Sequence, residues 1–149
     1  MTEQKLGLSL GAGKQRLKSE GYLWYHLDND PTAQPDVLRD MMRGLPFNSN
    51  LFDMVYCSHI LEHFAGEDFI FLMAEIHRVL KPNGEVHILS PYYKFEGTYE
   101  DPHHKTFFRE VTLKPWWYPT KSSVSDGVKE WFCPVLLEVA EGMEFRCVM

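Results

Sequence analysis

The sequence has few thiols, no long apolar run and no concentration of positive charge. Cys57, Cys133 and Cys147 are its three cysteines. An odd number at such wide spacing makes neither a disulfide framework nor a zinc-ligand pattern, so reduced thiols in a cytoplasm are expected. No apolar stretch is long enough to cross a bilayer, and the polar start of the chain has no secretory-leader pattern. Lys and Arg number 15 against 21 Asp and Glu, a formal net charge of −6. No run of Lys or Arg exceeds two residues. A protein that grips nucleic acid through its phosphates needs a basic surface, so that class is disfavoured. Internal repeats and low-complexity segments are also lacking.

What remains is ordinary globular composition: 44% hydrophobic and 24% charged residues over 149 positions exclude disorder and suit one domain with one sizeable core. Residues 6–10 alternate apolar and small side chains and run into Gly11-Ala12-Gly13, a strand entering a glycine turn. Residues 14–20 are expected to form a short helix ended by Gly21. A second strand over 22–27 stops at Asp28-Asn29-Asp30-Pro31. A brief third strand is expected over 36–38 and a fourth over 52–57, with a helical or irregular segment over 58–64. Residues 67–80 carry the clearest helix, with Phe69, Leu72, Met73, Ile76, Val79 and Leu80 on one face. Arg78 and Lys81 suit its negative C-terminal end, and Pro82-Asn83-Gly84 stops it. A fifth strand covers 85–89. Further on, 105–113 is a weaker helix candidate and 116–127 a loop. Residues 130–139 and 143–148 read as two strands joined near Glu141-Gly142, a hairpin that would close the sheet with an antiparallel edge. Strands alternating with helices predict an α/β, Rossmann-like, mostly parallel sheet in a three-layer sandwich.

In such a sheet, ligands bind beyond the carboxyl ends of the strands, where strand order reverses. Glycines there let the backbone turn tightly and let a ligand approach without a Cβ in the way. Two glycines alone also describe a plain tight turn. Asp28, 15 residues after Gly13, adds an acid at the end of the second strand, suited to accept hydrogen bonds from ribose hydroxyls. A bond of that charge-assisted kind contributes roughly 1.5–3 kcal/mol. The plainer reading of Asp28 is a turn residue.

Leu8-Ser9-Leu10-Gly11-Ala12-Gly13, Tyr25-His26-Leu27-Asp28, Leu45-Pro46-Phe47, Phe52-Asp53, Ser58-His59-Ile60-Leu61-Glu62-His63 and Glu75-Ile76-His77-Arg78-Val79-Leu80-Lys81-Pro82-Asn83-Gly84 follow in order. Together they resemble class I S-adenosylmethionine-dependent methyltransferases, most of all their compact type 11-like group. The resemblance spans about residues 6–91. It implies S-adenosyl-L-methionine as cofactor, with Gly11, Ala12 and Gly13 at its methionine part, Asp28 at the ribose and Asn29 beside the adenosine. Asp40 and Met41 match the loop that contacts adenine. Ser58 and His59 match the strand end that faces the methionine part and the transferred methyl. Glu62 and His63 are expected to support the site from beneath, His63 equally as a packed core histidine. The chain then divides into a cofactor-binding half over 6–91, an acceptor or lid region over 92–127 and a closing hairpin over 128–149.

The sequence departs from the family pattern in three places. Ser9 stands where an acid often holds the cofactor's amino group. Lys14 and Gln15 follow Gly13 where a further glycine is frequent. Only five residues precede Leu6, which leaves no room for a leading helix and suggests an open site or one covered by a partner chain or second copy.

Methyl transfer from a sulfonium needs an acceptor aligned about 3–3.5 Å from the methyl carbon, and an oxygen or nitrogen acceptor also needs a proton acceptor. Tyr93, His103 and His104 are the candidate catalytic residues, with Tyr92 and Glu96 nearby and Asp101 placed to orient a histidine. The Asp101-Pro102-His103-His104 segment resembles an Asp-x-x-His element of the compact group; the plain alternative is a surface turn. His103, His104 and Asp101 also invite a metal reading, but the adjacent pair lacks helical ligand spacing and no second cluster is evident, so no metal is expected. Trp116, Trp117 and Tyr118 suit a lid or core cap more than an acceptor pocket. The leading expectation is a methyltransferase acting on a small-molecule acceptor. A methyltransferase-like binding subunit is second and a nicotinamide-dependent oxidoreductase third. Position 16, where dinucleotide binders carry a third glycine, is Arg16. Fluorescence titration with reduced nicotinamide cofactor is therefore expected to show no binding.

Overall fold

A computed structural model describes residues 4–109, 111–113, 136–140 and 144–148. Five strands form the parallel part of its sheet: β1 (Lys5–Leu10), β2 (Tyr22–Asp28), β3 (Val37–Leu38), β4 (Phe52–Ser58) and β5 (Leu80–Pro91). β6 (Leu136–Ala140) and β7 (Glu144–Val148) extend it, in the order β3-β2-β1-β4-β5-β7-β6. β7 runs antiparallel to β5, with Ile88 opposite Cys147, and β6 runs antiparallel to β7. The chain proceeds outward from β1 to β2 and β3, then returns to the other side of β1 with β4. The reversal falls between β1 and β4, where Leu8 pairs with Val55 and Leu10 with Cys57.

Period-two alternation puts Leu8 and Leu10 of β1 on one face, matched by Val55 and Cys57 of β4 and by Val86 and Ile88 of β5, all buried. Helix α1 (Gly66–Val79) lies between β4 and β5 in the chain and buries Phe69, Leu72, Met73, Ile76 and Val79. This is the spacing of three, four and three that its sequence carries. Each side chain fully buried this way contributes about 1.5–3 kcal/mol. Glu67 and Asp68 in its first turn and Arg78 in its last turn match the helix dipole. The helix ends one residue earlier than expected, because Leu80 is already extended and opens β5. No helix among the described residues is long and apolar enough to cross a membrane.

Two expected helices are not formed. Residues 14–20 have no regular structure. Leu17 is the one apolar side chain in Lys14-Gln15-Arg16-Leu17-Lys18-Ser19-Glu20, so a helix there would have no face to bury. Its N–H instead donates to His26 Nε2 at 2.9 Å, while His26 Nδ1 bonds Asp36 Oδ2 at 2.8 Å. Arg16 reaches the carbonyls of Ala33 and Gln34. The second, over 105–113, is replaced by irregular chain tied to the sheet among the described residues. The N–H groups of Lys105 and Thr106 are both spent on the Glu62 carbonyl, at 2.7 and 3.0 Å, and Phe108 bridges to Tyr92. The three-layer sandwich is accordingly corrected: α1 is the only α-helix among the described residues, so no second helical layer is formed by them. The loop expected over 116–127 and the junction at Glu141-Gly142 lie outside the described residues.

Two ion pairs fasten the sheet to its connections. Lys81 Nζ sits 2.9 Å from Asp53 Oδ2, which also accepts the Leu6 N–H, joining the starts of β1, β4 and β5. On α1, Arg78 donates to both oxygens of Glu75 and to the carbonyls of Leu45 and Phe47, and Glu75 Oε2 accepts the Leu45 N–H at 2.7 Å. The Leu45-Pro46-Phe47 loop is thus held through its backbone. The Arg78 hydrogen bonds, helped by the Leu45 N–H, hold the Glu75 carboxyl below its usual range. A depressed carboxyl stabilises the fold above its unfolded value of 4.5 and ceases to do so as pH falls through the folded value. Glu75→Gln is expected to cost about 1.5 kcal/mol at neutral pH, the low end for a charge-assisted pair because Arg78 is a third exposed. Urea denaturation at pH 7 and in acid checks this, with the two stabilities converging at acid pH.

Candidate cofactor cleft

The carboxyl ends of β1 and β4 flank the point where strand order reverses, the place where an open parallel sheet binds its ligand. Gly11 and Gly13 follow β1 with φ of +63° and +54°, a region open to glycine at little cost. The two differ in their surroundings. A Cβ on Gly11 would lie 2.7 Å from the Ile60 side chain, whereas a Cβ on Gly13 would meet nothing within 4 Å. Gly11 is therefore a packing requirement, and Gly13 borders open space. Ala12 between them is half-buried.

Asp28 ends β2 with 8% of its surface exposed. Its Oδ2 accepts the Gly13 N–H at 2.8 Å, and its Oδ1 accepts the Asp30 N–H at 2.9 Å. Each oxygen keeps a lone pair for a further donor. Asn29 is exposed beside it. His26 and Asp28, two apart on one strand, share a face, and both hold the segment after β1. Asp40 caps a short 3-10 turn, Met41–Arg43, by accepting the Met42 N–H at 2.9 Å. Met41 is 6% exposed and packs in the core, so what it can offer a ligand is the shape of a wall.

Ser58 ends β4, half-buried and opposite Leu89. His59 follows with φ of +52°, the left-handed region. A non-glycine residue there costs roughly 1–2 kcal/mol, and such strain persists where the surroundings impose it. One imposing bond comes from the neighbouring strand: the His59 N–H donates to the Leu89 carbonyl at 2.9 Å, while its Nδ1 lies 3.5 Å from Glu62 Oε1 without a hydrogen bond between them.

Glu62 is 1% exposed within the 3-10 turn Leu61–His63. Its Oε2 accepts from the buried Ser90 hydroxyl at 3.0 Å. The fold brings His104 to this turn, with its ring 5.0 Å from that of His63, edge to face. His104 Nδ1 bonds the Thr98 carbonyl at 2.8 Å, and the His104 side chain is 9% exposed. His103 is its opposite, 82% exposed and paired with Asp101 Oδ1 at 2.9 Å. The His103 N–H and ring hold the Asp101 carboxyl below its usual range. Tyr93 is half-buried, its ring edge to face with Tyr92, its N–H bonded to the Phe108 carbonyl. The structure thus separates the two adjacent histidines and joins His104 to Glu62 and His63. Sequence reading missed that union, because the partners lie some forty residues apart and are drawn together by the Glu62 carbonyl, which takes two N–H groups from 105–106, and by the Phe64 carbonyl, which accepts from the Thr106 hydroxyl at 2.6 Å.

Clefts of about 300 and 340 Å³ lie elsewhere, one beside His77, Lys81 and Asn83 and the other beside Arg16, Trp24 and Asp36. Neither touches the glycine turn, and neither gathers the polar groups found there. Cys57 is fully buried, and burial followed by the nearby Glu62 charge pushes its thiol far above the ordinary range, which makes it an inert core residue. Trp116, Trp117, Tyr118 and Cys133 lie outside the described residues.

Residues 8–88 match a family described as a methyltransferase domain. A comparison with curated proteins finds no match. Among solved structures, an S-adenosylmethionine-dependent methyltransferase from Aquifex aeolicus aligns with 98% of this chain and 81% of its own at a TM-score of 0.70 and 13% identity. A chain of the complex between the Haloferax volcanii Trm112 methyltransferase activator and a proposed methyltransferase aligns with 98% and 82% at a TM-score of 0.65 and 15% identity. A proposed sarcosine dimethylglycine methyltransferase from Galdieria sulphuraria reaches 23% identity over 60% of this chain at a TM-score of 0.50, and this chain spans 39% of its length. Such identities establish a shared fold. With the family match over more than half of the sequence, the chain belongs to the S-adenosylmethionine-dependent class I methyltransferases, and S-adenosylmethionine is the cofactor that membership implies.

Proposed function

We propose that this chain transfers a methyl group from S-adenosylmethionine to a small-molecule acceptor. The carrying observation is the pairing of Gly13, with open space beside its Cα, and Asp28, whose two oxygens are already oriented by backbone donors. These residues fit the nucleoside end of the group: the open glycine admits a close approach, and the carboxylate offers one lone pair per oxygen to a diol. Gly11 and Ala12 shape the methionine side, Asn29, Asp40 and Met41 the adenine side, and Ser58 and His59 the end toward the reacting methyl.

Bound there, the cofactor supplies an activated methyl whose carbon–sulfur bond breaks as its bond to an acceptor oxygen or nitrogen forms. The chain aligns the acceptor and keeps water out. On the acceptor side we assign proton uptake to His103, which faces solvent with Asp101 at its Nδ1. His104 and Tyr93 are positioning residues, His104 through its bond to the Thr98 carbonyl. The division into a cofactor half over 6–91, an acceptor region over 92–127 and a closing hairpin over 128–149, within a cytoplasmic protein, is part of this reading.

A second reading, a methyltransferase-like subunit that acts through a partner chain, draws support from the Haloferax complex, where a chain of this fold is paired with an activator, and from Ser9 at the position of the family's acid. Calorimetry with S-adenosylmethionine and its demethylated product separates the two: the first reading requires binding, and no heat at millimolar ligand sinks it. Asp28→Ala is expected to weaken that binding at least tenfold, on the order of the 1.5–3 kcal/mol of a charge-assisted hydrogen bond. Asp28→Asn, which keeps an acceptor for one N–H, guards against a loss that reflects the turn alone. Unchanged affinity in both, with circular dichroism intact, would place the ribose elsewhere.

A further inference from the structure

Glu62, His63 and His104 offer three ligand atoms that all lie within 4.8 Å of one another. Three observations make this more than proximity. Glu62 is 1% exposed, and its Oε1 has no hydrogen-bond partner among the described residues; His59 Nδ1, at 3.5 Å, is too far to supply one. A carboxylate oxygen left unbonded in the interior is costly and calls for a cation or a proton. The other oxygen, Oε2, is held by the buried Ser90 hydroxyl, so the carboxylate cannot simply turn away. Finally, His104 places Nδ1 on the Thr98 carbonyl at 2.8 Å. That carbonyl can only accept, so Nδ1 carries the hydrogen and the neutral ring bears its lone pair on Nε2. Metal-bound histidines are oriented in this way, with the other ring nitrogen donating to a backbone carbonyl.

We propose that Glu62, His63 and His104 bind a divalent transition-metal ion of the zinc class. Two imidazoles and one carboxylate suit Zn²⁺ or Fe²⁺ and leave at least one coordination position for water or another oxygen ligand. Asp101 Oδ2, 3.7 Å from His104 Nε2, is a further anionic neighbour. Metal–ligand bonds of about 2.0–2.2 Å set tetrahedral ligand atoms roughly 3.4 Å apart, so the three groups draw in by about an ångström on binding, within reach of side-chain rotation. Glu62 and His63 lie directly after β4, and His104 lies in the segment returning from β5. The ion would therefore pin the acceptor-side segment to the sheet.

The site is read without S-adenosylmethionine, so its failure leaves the methyl-transfer reading standing. Metal-depleted full-length protein is titrated with Co²⁺, read by visible ligand-field absorption, and with Zn²⁺ in competition with a chromophoric chelator. One equivalent of each is expected to bind, and Zn²⁺ is expected to raise the melting temperature. Glu62→Gln and His104→Ala should each weaken Zn²⁺ binding tenfold or more, and Ser90→Ala should weaken it by about tenfold through loss of carboxylate orientation. His103→Ala, which removes the neighbouring exposed ring, should leave it within about twofold. Absence of Co²⁺ absorption and Zn²⁺ uptake in folded wild-type protein overturns the proposal, whatever the variants do. So does equal binding by His104→Ala and His103→Ala. Either result would mean that these three side chains do not form the metal site.

Discussion

Two backbone hydrogen bonds to one carboxylate set the geometry on which the cleft depends. Asp28 takes the N–H of Gly13 on one oxygen and that of Asp30 on the other, so the turn after β1 and the turn after β2 are fastened to the same group. A parallel sheet by itself fixes the strands but not the loops beyond their ends. Here the first loop lacks the helix that would ordinarily anchor it, and the anchoring passes to β2 instead. His26 catches Leu17 and Asp28 catches Gly13. The side chain proposed to meet a ribose is therefore also the one that shapes the turn beside it.

The sequence was most legible where burial is periodic. The apolar positions of α1 and the alternation in β1 announce their elements, because each must present one face to a common core. The glycine turn and Asp28 were legible for another reason: few residue types tolerate the left-handed backbone or supply an anionic acceptor at a strand end. The helices expected over 14–20 and 105–113 were misread because these segments are tied to distant parts of the chain, to His26 in one case and to the Glu62 and Phe64 carbonyls in the other. Local propensity carries no record of such ties. His103 and His104 show the same limit at single-residue scale. They are adjacent and chemically identical, yet one side chain is 82% exposed and the other 9%.

The region around Glu62 concentrates groups that a core ordinarily excludes. A buried carboxylate, a buried serine, two histidines in ring contact and a strained His59 meet where β4 and β5 end. Their chain neighbours are apolar core residues such as Leu61 and Ile88, so the local medium strengthens every charge interaction there. Glu62 also accepts two N–H groups through its main chain. It thereby ties the segment at Lys105 and Thr106 to the sheet through its backbone while presenting its carboxylate inside.

At one border of the sheet stands β3, a strand of two residues, Val37 and Leu38, paired only through Leu27 and Asp28. Its outer side offers too short a row of unpaired amides to template another chain, a common protection against edge-to-edge aggregation. Leu38 is nonetheless 58% exposed. Brevity of backbone, rather than polarity of side chain, is what keeps that border from growing.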